Sequence, residues 1–71
     1  MKVYFENVGR DNSCWVAECK EEDFGYDWLY RQVKGKLLSR EIDFYLSKED
    51  MNKGTIIVGD VRPVGNFRIE K

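Results

Sequence analysis

Residues 24–38 read FGYDWLYRQVKGKLL, and this stretch is the one segment of the chain with a clear helical period. Tyr26, Leu29, Tyr30, Val33 and Leu37 recur at three- and four-residue steps, which places them on one apolar stripe of an α-helix. Phe24 and Trp28 add an aromatic pair one turn apart beside that stripe. Asp23 stands where its carboxylate can accept a bond from an unpaired first-turn N–H, so it is the expected cap. Acidic Glu21, Glu22, Asp23 and Asp27 precede basic Arg31, Lys34, Lys36 and Arg40, an order that matches the helix macrodipole. Gly35 leaves two endings open. It can stop the helix just after Lys34, or the helix runs on to Leu38 and tolerates the glycine at ~1 kcal/mol relative to alanine. Leu37 prolongs the stripe, and this favours continuation to Leu38.

Outward from the helix, both flanks read as strands and turns. On the N-terminal side, Lys2–Val8 is rich in β-formers, GRDNS at 9–13 is a turn cluster, and Cys14–Lys20 completes a hairpin. Val3, Phe5, Trp15 and Ala17 are assigned to the face under the helix, and Tyr4, Val8 and Val16 to the other. On the C-terminal side, Glu41–Ser47 alternates, with Ile42, Phe44 and Leu46 pointing inward and Asp43, Tyr45 and Ser47 outward. Ser47-Lys48-Glu49-Asp50 has a capping form and predicts one helical turn ending at Gly54. Thr55–Val61 does not alternate, as suits an interior strand. Arg62-Pro63-Val64-Gly65 reads as a turn and Asn66–Glu70 as a short last strand, one with an edge open to strand addition.

The order β-β-α-β-β-β predicts a two-layer α+β domain spanning residues 1–71, with four to five antiparallel strands and the helix across one face. Seventy-one residues bury proportionally little surface, so the stability margin is thin. One helix over a small sheet cannot cover all ten aromatic side chains.

Composition narrows the function classes. With 12 basic and 13 acidic residues, net charge is −1, and there is no global signature of nucleic-acid or anionic-membrane binding. No apolar run approaches the ~20 residues that span a bilayer, and the first residues lack a signal-peptide core, so a cytoplasmic protein is expected. Cys14 and Cys19 lie on opposite faces of one predicted strand, roughly 17 Å apart. A disulfide needs Cα atoms within about 7 Å, which excludes a bond between them in that strand. Two cysteines without histidine make a poor zinc site, and no metal or cofactor is expected. The commonest general base is missing, no phosphate-binding glycine loop is present, and no catalytic role is expected.

The expected function is therefore interaction. Tyr4, Val16, Tyr45 and Ile57 form the expected partner-binding set on the face that the helix leaves open, with a protein or a second copy as partner. The alternative is nucleic-acid binding through Arg31, Lys34, Lys36 and Arg40, with tyrosines as stacking surfaces. Cations near a helix C-terminus also follow from the macrodipole alone, which weakens that alternative.

Overall fold

The computed structural model describes residues 1–37, 41–59 and 62–71. Five strands, β1 (Lys2–Val8), β2 (Ser13–Glu18), β3 (Ile42–Leu46), β4 (Lys53–Val58) and β5 (Arg62–Glu70), form one antiparallel sheet in the order β2-β1-β5-β4-β3. The helix α1 (Tyr26–Val33) stands between β2 and β3, the two edge strands. The chain thus starts next to the centre in β1, reaches one edge in β2, crosses through the helix to the other edge in β3, and returns by β4 to the centre in β5. The expected α+β class, element order and single helix across one face are all present.

The core lies between helix and sheet. Leu29 and Val33 from α1 meet Val3, Phe5, Ile42, Ile56 and Phe67, all buried, with Trp15 and Ala17 packed against them. Eight aromatic residues link into two chains across this layer. One runs Phe24, Trp28, Phe5, Trp15, and the other runs Tyr30, Tyr26, Phe44, Phe67, with ring centroids 4.7–6.1 Å apart. Offset and edge-on ring pairs of this kind add to simple area burial.

The helix is shorter than its apolar stripe. It ends at Val33, Lys34 caps it, and the Lys36 N–H closes a tighter turn on Val33 O at 2.9 Å. Continuation to Leu38 is corrected: the chain leaves the helix before Gly35, and Leu37 packs on the core from outside it. Asp23 is not the cap either. Glu21–Asp23 forms a separate 3-10 turn, and Gly25 begins α1 without a side-chain cap.

Two bulges correct the strand assignments. Phe5 pairs with Trp15 but Val8 pairs with Ser13, so β1 carries one residue more than β2 between these pairs. Asn7 takes the extra step with φ 54°, a left-handed conformation asparagine tolerates. The parity of the strand changes there, and Val8, expected on the open face, is buried at 1% exposure. On β5, Ile56 pairs with Gly65 and Ile57 with Pro63, which leaves Val64 as an extra residue. Pro63 is therefore inside a nine-residue strand next to a bulge and not in a turn. A bulge is one of the few sheet positions where a missing N–H is tolerated. The expectation of a short edge strand at Asn66–Glu70 is overturned, because β5 is paired on both sides, to β1 and to β4.

The β3–β4 connection holds no helical turn. Ser47 Oγ accepts from the N–H groups of Glu49 and Asp50, as its sequence form suggested. Asp50 Oδ1 then accepts from Asn52 N–H at 2.9 Å and bends the chain into β4. Leu46, expected in the core, is 43% exposed at the end of β3. Gly9 fastens the far end of the sheet. Its N–H donates to Val64 O at 2.9 Å, its φ is 76°, and a Cβ there would come within 2.7 Å of Lys36 O. Only glycine lets the chain leaving the helix pass this close to the first hairpin.

Candidate functional site: the open sheet face

Strand parity puts the four expected contact residues on one surface. Tyr4 and Val16 are direct cross-strand partners on β1 and β2. Tyr45 pairs with Thr55, which sets it diagonally to Ile57 on β3 and β4. Val16 is 51% exposed and Tyr45 53%, and Tyr4 and Ile57 are half-buried. These residues do not make one patch. Arg68 and Asn66 of β5 lie between the two pairs, opposite Tyr4 and Glu6 on one side and Lys53 and Thr55 on the other.

The divide is polar and partly closed. The Arg68 guanidinium lies 4.2 Å from the Tyr4 ring centroid and its Nη1 is 3.6 Å from Glu70 Oε2. Arginine over a tyrosine face is a favourable cation–π arrangement, and it screens one side of the ring. Beside it, Glu6, Lys53, Thr55 and Asn66 surround a shallow depression of about 410 Å³. The open face therefore offers two small apolar pairs near opposite edges, joined by a polar strip. Sequence alternation located the pairs. The strip is not legible in that alternation, because it depends on β5 lying between β1 and β4 and not at an edge.

The two edges differ. Gly59 N–H donates to Glu41 O and Ser47 N–H to Lys53 O, so odd-numbered residues of β3 bond inward. The main-chain groups of Ile42, Phe44 and Leu46 therefore point out from the edge. Tyr26 closes one of them: its hydroxyl donates to Ile42 O at 2.7 Å. Lost water around that hydroxyl pushes its pKa up, and Asp43, Tyr30 and Asp27 push it the same way. On the other edge, Cys19 N–H donates to Met1 O at 2.9 Å and the Met1 amine to Cys19 O at 3.0 Å. Odd residues of β2 therefore bond to β1, and Cys14, Val16 and Glu18 turn their main-chain groups to solvent.

The cationic alternative is rearranged. Arg31 and Lys34 are exposed on the helix end, and Arg40 lies outside the described residues. Lys36 instead stands with its Nζ 5.7 Å from the Trp15 ring centroid and lines a groove of about 720 Å³ together with Arg10 and Arg62. Asp11 is the acid in that lining, and among the described residues none of the three cations is in an ion pair. Arg10 and Arg62 come from two different hairpins, so no local sequence signal could have joined them to Lys36.

Both thiols are free, Cys14 exposed and Cys19 buried. Burial pushes the Cys19 thiol up, the Asp23 carboxylate adds to this, and the N-terminal ammonium opposes it. Among the described residues no three cysteine, aspartate or glutamate side chains gather as metal ligands, and no helix is long and apolar enough to cross a membrane. No protein-family model, curated protein or solved structure matches this chain.

Proposed function

We propose that this chain is a small protein-interaction module, without a catalytic step of its own, that receives its partner on the open sheet face. One observation carries the reading. Eight aromatic residues pack in ring contacts on the helix side, Tyr26 at its exposed margin, whereas Tyr4 and Tyr45 lie on the opposite face beside Val16 and Ile57. Tyrosine with an adjacent β-branched side chain, set in a polar surround, is the composition of an interface core with its rim. The exposed free thiol of Cys14 supports a reducing, cytoplasmic setting.

The test is a photo-crosslinking amino acid placed at Tyr45 or at Val16, with Lys34 on the helix end as control. Covalent adducts to one defined protein from the open-face positions, absent from Lys34, are the expected result. Equal labelling at all three positions, or none at the open face, overturns the reading.

A second reading is favoured by Arg10, Lys36 and Arg62 around one groove: binding of a nucleic-acid phosphate backbone. Its expected mark is oligonucleotide affinity that falls steeply with salt and is weakened by Arg62→Ala. No binding at low salt removes it.

A further inference from the structure

We infer that the partner of the β2 edge is a second copy of this chain, added antiparallel so that one sheet runs through both copies. This rests on the interaction reading above and names the partner for one edge of the same surface.

The argument begins with main-chain groups. Cys14, Val16 and Glu18 each direct an N–H and a C=O away from β1, and among the described residues β2 has no further strand beside it. Natural sheets guard such an edge with proline, lysine, a bulge in the edge strand or a covering side chain. The β3 edge is guarded in this way at its first residue, where the Tyr26 hydroxyl covers Ile42 O. The β2 edge is guarded less: among its residues only the terminal Glu18 is charged, it contains neither proline nor lysine, and the bulge nearby belongs to β1.

The residues then select one register. Outward groups must meet outward groups, so even-numbered residues pair with even-numbered ones. Centring the twofold on Val16 sets Val16 against Val16 of the partner subunit and Cys14 against Glu18 of the partner subunit, and all three outward residues of each copy find partners within the strand. A slide by two residues in either direction draws in Asn12 or Lys20, both outside β2. A slide by four in one direction sets Glu18 against Glu18 of the partner subunit, a like-charge apposition, and in the other it pairs only Cys14 with Cys14 of the partner subunit and leaves Val16 and Glu18 beyond the partner's strand.

Side chains agree with that register on both faces. On the open face, Tyr4 and Val16 are joined by Val16 and Tyr4 of the partner subunit, so two half-exposed pairs become one apolar row. On the helix side, the half-buried Trp15 faces Ala17 of the partner subunit, large against small. Past the strand ends, the turn containing Arg10 and Asp11 comes opposite the acidic Glu21–Asp23 turn of the partner subunit, so Arg10 gains an acidic counterpart while Asp11 does not, and the contact is made twice.

Light scattering behind size exclusion, from micromolar to millimolar protein, tests this with four variants. The wild type is expected to dimerise. Val16→Lys is expected to weaken the dimer at least about tenfold, because it places two lysines opposite each other on a paired edge. Tyr45→Lys, on the far side of the sheet, is expected to leave it unchanged. In a Cys14→Ser background, Val16→Cys is expected to oxidise to a covalent dimer that keeps the native spectrum. Cα atoms in a hydrogen-bonded antiparallel pair are about 5.5 Å apart, inside the disulfide range. Tyr45→Cys in the same background is expected to form no covalent dimer on oxidation while it keeps the non-covalent one. A wild type monomeric at every concentration overturns the pairing, as does a Val16→Lys protein that still dimerises. Dissociation by Tyr45→Lys alone moves self-association to the other patch and overturns the β2 register. None of these results decides the photo-crosslinking test at Tyr45, so the two readings fail separately.

Discussion

Gly54 faces Phe67 across β4 and β5, and the ring lies directly over its Cα. A Cβ at Gly54 would overlap the Cζ and Cε atoms of that ring, which is itself buried and braced by Phe44. The glycine is needed for space and not for a left-handed backbone, since its φ is not positive. Gly54→Ala is therefore expected to lower stability by about 1–3 kcal/mol, the usual range for overpacking a tight core. Urea unfolding measures it, and a loss within error of zero would show that Phe67 has room to move. Gly54 also illustrates the limit of reading single residues. The capping chemistry of Ser47 and Asp50 makes it look like the stop of a helical turn, and that chemistry is present as side-chain turns without a helix. Val8 fails for a related reason. Alternation assigns a face only while the count of residues is regular, and Asn7 adds one. An asparagine just before a valine and a glycine was the available hint of a left-handed step.

At the scale of elements, the apolar stripe of residues 26–37 predicted a helix correctly and its length wrongly. The stripe records which side chains meet the core, and Leu37 meets it from a turn as readily as from a helix. Strand pattern was legible where one face is buried, as in β3, but the exposed end of β3 at Leu46 shows that alternation says nothing about how far the helix reaches. The main tie from α1 to the edge is Tyr26, 50% exposed yet bonded through its hydroxyl to Ile42 O. That contact predicts alkaline behaviour. The folded state holds the Tyr26 proton more tightly than the unfolded chain does. Its contribution is then fully present below the unfolded tyrosine value, near 10, and is lost as pH rises through the folded value. Thermal unfolding followed from pH 9 upward is expected to show a steeper loss of stability for the wild type than for Tyr26→Phe. At neutral pH the variant is expected to be less stable by about 0.5–1.5 kcal/mol, for one hydrogen bond lost. Parallel pH curves for the two proteins would mean that the hydroxyl bond has no energetic role.

The whole molecule depends on β5 more than its position at the end of the sequence suggests. Strand order was the part of the fold that local pattern could not supply, since two hairpins beside a helix allow several sheets. The structure resolves it by placing β5 between β1 and β4. Every route through the sheet from the β2–β1 hairpin to the β4–β3 hairpin passes through β5, and it also carries Phe67 and Ile69 into the helix-side layer. Isolated two-stranded hairpins are at best marginal in water, so neither half is expected to stand without it. Ending the chain at Gly65 is therefore expected to abolish the fold, seen as loss of the β signal in circular dichroism and collapse of amide dispersion. A second variant separates loss of the strand from disturbance of the chain end. Lys2 pairs with Glu70, so a short turn can join Lys71 to Met1 and close β5 and β1 into a hairpin. Opening that permutant at Lys48–Glu49, in the exposed β3–β4 connection, keeps all four strand pairings. The permutant is expected to fold while the truncated chain does not. If the truncated chain kept native dispersion, the halves would be autonomous and the central position of β5 would not be what holds this sheet together.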